Sequence, residues 1–181
     1  MRRIILYIAV SLDGYIADSR GGVDWISGDG SEPDQQGSYE AFYQTIDTVI
    51  LGRSTWHQIT TELSPGQWPY PDKQCYVLTH EQRPSGERIC FTDRPLPELI
   101  AELREQPGGD IWICGGASVV RQLMERDLID RYWFTVVPVL LGDGILLFDR
   151  REGKLPLRLC ATDSANGMVD LVYERIREAH H

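Results

Sequence analysis

The strongest constraint on this chain is an alternation. Short runs rich in Ile, Val and other strand-forming residues, at 4–10, 48–51, 74–79, 111–114 and 131–137, are separated by stretches with helical spacing. Runs that stay apolar on consecutive residues belong to strands covered on both faces. Such strands alternating with helices favour a mainly parallel sheet with helices packed on it. Leu96, Leu99, Ile100 and Leu103 share one helical face, which Pro107-Gly108-Gly109 ends. A second helix is predicted over 117–126, with Val119, Val120, Leu123 and Met124 inward, and a third over 38–46. The end of the chain differs. Strand-like runs at 155–161 and 168–176 flank Asn166-Gly167, a hairpin signal because both turn residues take positive φ. The reading is a single α/β domain over 1–178: a mainly parallel central sheet flanked by helices, with a C-terminal antiparallel hairpin.

Composition removes several classes of function. A net charge of -9 and a pI near 4.9 argue against binding nucleic acid through bulk charge. No apolar run approaches the ~20 residues that cross a bilayer. The run at 4–10 follows Met1-Arg2-Arg3 but ends at Ser11-Leu12-Asp13-Gly14, too soon for a signal-peptide core. A cytoplasmic protein with no membrane partner is expected. Cys75, Cys90, Cys114 and Cys160 form no C-x-x-C pair and lie in or beside apolar runs. They read as buried free thiols, with no metal site. The closing His180-His181 is either native or a tag remnant.

Two segments carry phosphate-binding chemistry. In Ile111-Trp112-Ile113-Cys114-Gly115-Gly116-Ala117-Ser118 a buried strand meets a double glycine and then a helix. At the carboxyl edge of a parallel sheet, such a junction offers unpaired N–H groups and a positive dipole end. The plain alternative is a tight turn capped by Ser118. Val49-Ile50-Leu51-Gly52-Arg53-Ser54-Thr55-Trp56 repeats the construction, with a guanidinium and two hydroxyls at the helix start. Arginine can grip a phosphate bidentately; the alternative is a capped helix with a solvated arginine. Thr79 adds a hydroxyl at the same expected edge. The strand at 4–10 leaves through Asp13-Gly14 into a segment with Gly21, Gly22, Gly28 and Gly30. That segment is either a loop that closes over a ligand or an ordinary surface loop.

Taken in order, S-L-D-G-Y-I-A, G-V-D-W, V-I-L-G-R-S-T-W, G-G-A and the P-V-L-L-G-D-G of residues 138–144 resemble the dihydrofolate reductase superfamily. The last of these looks like the riboflavin-biosynthesis reductase C-terminal domain family, and the resemblance runs from Ile4 to about Ile176. It implies NADPH as hydride donor. Ala9 and Ile16 would flank the nicotinamide. Gly52, Arg53, Ser54 and Thr55 would meet the phosphates and the adenosine side, with Leu78, Thr79 and His80 near the adenosine ribose. Gly115, Gly116, Ala117, Ser118 and Val119 would cradle the pyrophosphate. Thr135 matches a threonine that lines the pterin site of the folate enzymes, and Trp25 matches their loop tryptophan.

The pattern also departs from both relatives. Folate reductases carry an acid on the helix after that tryptophan, whereas the equivalent stretch here, 35–38, holds none. Asp34 is the nearest replacement by position, with Asp29 and Glu40 close by. The riboflavin-pathway reductases usually follow S-L-D-G with lysine, where this chain has Tyr15. The expectation is an NADPH-dependent reductase of a small pteridine- or pyrimidine-like heterocycle, with Tyr39 and Tyr43 as a stacking wall beside Phe42, which reads as core. One alternative is a 5-amino-6-(5-phosphoribosylamino)uracil reductase with Arg20 near the substrate phosphate. Another is a nucleotide-binding protein without catalysis. The resemblance also implies a homodimer.

Overall fold

The computed structural model describes residues 1–35, 37–148 and 153–176. The chain opens with β1 (Ile4–Ser11) and β2 (Tyr15–Ala17), then a short α1 (Tyr39–Tyr43) and β3 (Ile46–Gly52). Next come α2 (Arg53–Gln58), continued by a π-helical turn (Ile59–Leu63), then β4 (Gln74–Leu78), β5 (Ile89–Thr92) and α3 (Leu96–Glu105). It closes with β6 (Asp110–Gly115), α4 (Ala117–Glu125), β7 (Arg131–Val137), β8 (Ile145–Leu146), β9 (Leu157–Ala165) and β10 (Met168–Arg175).

Eight of these strands form one sheet in the order β5-β4-β3-β6-β1-β7-β10-β9, while β2 pairs with β8. The strands from β5 to β7 are parallel; β10 runs antiparallel to β7, and β9 antiparallel to β10. On one face, α3 and α4 set Leu99, Ile100, Leu103, Val120 and Leu123 against Ile4, Leu6, Ile50, Ile111 and Ile113. On the other, Phe42, Ile46, Val49, Leu51 and Val77 pack with Ile5 and Trp112. Ile4, Ile5 and Leu6 are therefore buried in succession, which is why that run shows no alternation.

The expected helix over 38–46 is shorter. It stops at Tyr43 because Thr45 turns both its N–H and its hydroxyl onto the Phe42 carbonyl, and the chain then enters β3. The expected strand at 155–161 instead covers Leu157–Ala165. Asn166 and Gly167 have φ of +52° and +76°, as the hairpin requires. β2, β5 and β8 were not expected. Each is two to four residues long and takes its strand character from a partner. The thiols divide: Cys75 is buried, Cys90 and Cys114 are half-buried, and Cys160 is exposed. Cys160 corrects the expectation of four buried thiols, because β9 is the outer strand and its residues 158–164 are all exposed. The last two residues of the expected domain, and His180-His181, lie outside the described residues. No helix among those described is long and apolar enough to cross a membrane.

The edge of the sheet opposite the carboxyl ends is held by a buried arginine. Arg2 pairs with Asp47 and donates to Thr48 Oγ1 at 2.6 Å and the Gly109 carbonyl at 2.7 Å, while Asp47 accepts the Gly109 N–H at 2.7 Å. One guanidinium thus ties the start of β1 to β3 and to the turn before β6. Removing it leaves several groups without partners, a loss of about 2–3 kcal/mol. Arg2→Ala is expected to lower the urea midpoint accordingly with an unchanged m-value, and an unshifted midpoint would refute the clamp.

Candidate active site

β3 runs into α2 with no intervening residue, and β6 reaches α4 through Gly116 alone. Gly115 has φ +127°, which only glycine takes without strain. The two junctions touch. A Cβ on Gly52 would lie 3.3 Å from Val119 Cγ2, and one on Gly116 would lie 3.3 Å from Thr55 Oγ1. Their helix starts therefore open side by side, with first-turn N–H groups that have no carbonyl within their own helices.

In front of them lies a cleft of about 910 Å³. Every residue expected to contact the cofactor lines it: Ala9 and Ile16, Gly52 through Thr55, Leu78 and Thr79, and Gly115 through Val119. His80 also lines it. β4 stands three strands from β1, about 14 Å at ~4.8 Å per strand. Glycines that bare the backbone, helix-start amides, hydroxyls and a guanidinium suit an extended ligand with a diphosphate at its centre.

The rim adds a residue that sequence reasoning did not single out. Arg53 Nε lies 2.5 Å from Glu81 Oε1, and the other Glu81 oxygen accepts from Arg83 Nε at 3.0 Å. The hydrogen bond from Arg83, with the charge of Arg53, holds the Glu81 carboxyl below its usual range. Inside the cleft, the Tyr70 hydroxyl sits 3.8 Å from Cys114 Sγ, and burial pushes that thiol up to about 12. Cys114 is therefore protonated near neutral pH and a poor nucleophile. Among the described residues, no group of three or more His, Cys, Asp or Glu could hold a metal ion.

The residues expected on the substrate side are placed elsewhere. Tyr39 is exposed, with its ring 5.9 Å from Tyr7 and its phenol pushed up to about 12 by burial of the hydroxyl end. Tyr43 donates to Asp72 at 2.5 Å. Phe42 is fully buried and stacks on Tyr7 at 4.3 Å. Trp25 is half-buried and donates its indole N–H to the Gly22 carbonyl at 3.1 Å, within its own loop.

Asp34 is exposed, so the segment expected to supply an acid does not bury one there. The reason is local: the Asn166 side chain accepts from the Gly30 and Glu32 amides, which pins this loop to the hairpin turn. The buried carboxylate is Asp170, on β10. It accepts from Thr135 Oγ1 at 2.6 Å and from Ser38. The signal for it was present: Asp170 is in phase with buried Val172, a polar residue at an inward position of an alternating strand.

Asp13 joins two of the motifs. Its carboxylate accepts from Ser11 Oγ at 2.7 Å and from the Leu141 and Gly142 amides at 3.1 and 2.8 Å. Tyr15, where the riboflavin-pathway pattern has lysine, turns its hydroxyl to the Gly142 carbonyl at 3.4 Å.

An eight-stranded, mainly parallel sheet with a nucleotide-sized cleft at its carboxyl ends is the dihydrofolate reductase-like architecture. The chain belongs to the RibD C-terminal domain family, whose pattern it matches over residues 2–172. It is 43% identical to the uncharacterized protein YwjB of Bacillus subtilis (strain 168) over 175 residues, covering 96% of this chain and 98% of that one. Identity to the uncharacterized protein YyaP of the same organism is 31%, covering 95% and 94%. Among solved structures, a protein of Shewanella sp. PV-4 described as a candidate riboflavin biosynthesis protein superposes with a TM-score of 0.83 at 28% identity, covering 97% of this chain and 99% of that one. RibD of Acinetobacter baumannii shares the fold, with a TM-score of 0.73 at 20% identity over 97% of this chain and 58% of that one.

The Asp13 clamp sets a pH dependence. The Ser11 hydrogen bond first, then the backbone amides, lower the Asp13 carboxyl in the folded state. Its stabilisation is therefore present above the unfolded value, about pH 4, and is lost as pH falls through the lower folded value. Melting temperatures measured against pH are expected to drop on acidification from about pH 4. Asp13→Asn should remove part of that slope and lower the neutral-pH value. An unchanged acid limb in the variant would show that the clamp contributes nothing.

Proposed function

We propose that this protein is a reductase that binds NADPH in the cleft and passes a hydride to a small pteridine- or pyrimidine-like heterocycle. One observation carries the reading: segments far apart in sequence, each suited to a different part of a dinucleotide, meet around a single cleft. Gly115, Gly116 and the first turn of α4 would take the pyrophosphate, and Ser54 and Thr55 a neighbouring phosphate or ribose. Leu78 and Thr79 would flank the adenosine ribose, with Ala9 and Ile16 at the nicotinamide. When bound, the dihydronicotinamide supplies a hydride. The protein's part is to strip water from the reacting faces and hold the acceptor carbon against the donor, since positioning carries much of such a barrier.

Arg53 would give the preference for a 2′-phosphate once Glu81 releases it. Family membership, and the likeness to the Shewanella protein, favour a second reading: reduction of a pyrimidine of riboflavin biosynthesis. Tyr15 then stands where a basic group for the substrate phosphate is expected.

Quenching of the five tryptophans by NADPH and NADH tests the cofactor. NADPH is expected to bind at least about tenfold more tightly, a difference of about 1.4 kcal/mol, and Arg53→Ala to abolish the preference. Absence of binding by either nucleotide would sink the reductase reading. Glu81→Gln removes the carboxylate that competes for Arg53 and is expected to tighten NADPH more than NADH. Equal changes for both would remove Glu81 from the 2′-phosphate site. A turnover panel of dihydropterins and the phosphoribosylamino pyrimidine then separates the two substrate readings.

A further inference from the structure

The charges that line the cleft are sorted along it. Arg53 follows β3, and Asp93 and Arg94 follow β5, on either side of Thr79 at the end of β4. Arg53 opens α2, and Glu62 sits in the π-helical turn that continues this helix to Leu63. The helix carries the chain from Arg53 to Glu62, roughly 13 Å at ~1.5 Å per residue. His57 lies between the two, one turn beyond Arg53, and also lines the cleft. Two arginines thus stand at one end and a carboxylate at the other.

One hydrogen bond shows what faces Glu62. Gln58 Nε2 donates to the Gly21 carbonyl at 2.8 Å, so the end of α2 touches the loop that follows β2. Glu62 Oε2 is 3.5 Å from the same nitrogen, and its partner there is a neutral amide. The carboxylate therefore stands where helix and loop meet at the mouth of the cleft. The lining at this end is apolar: Ile16, Val23 and Ile26 from the loop side, Ile59 and Leu63 from the helix. Ile26 is 41% exposed and Leu63 56%, so this wall is open to an apolar ring. Asp18, Arg20 and Asp24 belong to the same loop but do not line the cleft. The Arg20 amide is held by the Asp18 carboxylate at 2.8 Å.

We propose that Glu62 determines specificity for the acceptor: it admits rings with an uncharged or cationic substituent and rejects those that carry a phosphate or carboxylate. The inference rests on the reductase reading, in which the nicotinamide lies at Ala9 and Ile16 and the acceptor beyond them. The open side of the apolar wall is where Glu62 stands, so a substituent leaving the ring toward solvent passes the carboxylate. Beside apolar walls that charge is less screened than on a free surface. A phosphate there meets repulsion, and among the described residues no lysine or arginine lines that end to offset it. An ammonium gains an ion pair instead. Rejection by a repulsive group narrows the choice of ligand without any contact to the favoured one. Glu62 thus selects the uncharged pteridine- or pyrimidine-like acceptor over the phosphoribosylamino pyrimidine.

The test measures binding of 6-aminomethylpterin, 6-hydroxymethylpterin and the phosphate ester of the latter to the full chain, with NADPH affinity and thermal melting alongside. At low salt the wild type is expected to bind the amine at least about tenfold more tightly than the phosphate, with the alcohol between them. The gap should shrink severalfold in about 0.5 M salt, because screening shortens the reach of exposed charges. Glu62→Gln should bring the three probes within about twofold of one another, and Glu62→Lys should reverse their order. Both variants are expected to melt as the wild type does, since the side chain is exposed. A wild type that binds the three alike or binds none of them overturns the proposal, and so does a Glu62→Gln protein that keeps the order. A preference that salt leaves unchanged also overturns it, tracing the choice to shape and not to charge. Failure of the wild type to bind NADPH, with the probe order and its salt dependence intact, would count against the reductase reading and not against Glu62.

Discussion

The structure depends on one close approach, that of the two strand-to-helix junctions. Gly52 and Gly116 face each other's elements at a distance that leaves little room for a further carbon. Because β3 and β6 are neighbouring parallel strands, both helices start at the same edge and on adjacent lines. Their N-terminal amides and dipoles add at one place instead of being spread over the surface. A side chain at Gly116 would press on Thr55, so the cleft is a consequence of this packing and not a gap left between finished elements.

The sheet order extends that edge into a surface with two ends. On the β4 side stand Leu78, Thr79 and the Arg53–Glu81–Arg83 cluster, a region of exposed charge. On the β10 side stands a buried carboxylate that accepts from two hydroxyls. Exposed ion pairs exchange easily with a ligand's charge, because solvent already screens them. The buried carboxylate is different: its environment strengthens any hydrogen bond that reaches it. The exposed counter-charge thus lies on the β4 side and the buried one on the β10 side. The antiparallel addition of β10 is what makes the second end possible, since it sets Asp170 beside Thr135.

Much of the cleft was legible in the residues themselves. A strand, a glycine and a helix start are local features, and their chemistry survives translation along the chain. Their convergence followed once the parallel sheet was expected. The acid was not legible in the same way. Counting along the loop from Trp25 led to Asp34, but Asn166 binds that loop through the Gly30 and Glu32 amides and leaves Asp34 exposed. The carboxylate that is buried lies more than a hundred residues away, on a strand whose position beside β7 no local pattern states. Cys160 failed for a related reason: a strand-like run does not reveal whether it will be an outer strand.

Sequence alone determined what nearest neighbours and periodicity can specify. That covers the buried parallel strands, the faces of α3 and α4, the Asn166-Gly167 turn and the two glycine junctions. Each follows from dihedral preference or from the period of burial within a few residues. Tertiary structure decided what depends on which strands become neighbours: the short β2–β8 pair, the clamp of Arg2 on β3, the tie between Asp13 and the Leu141–Gly142 amides, and the hydrogen bond from Thr135 to Asp170. These are contacts between residues tens to more than a hundred positions apart. Their geometry comes from sheet order and register, to which one strand read by itself is blind.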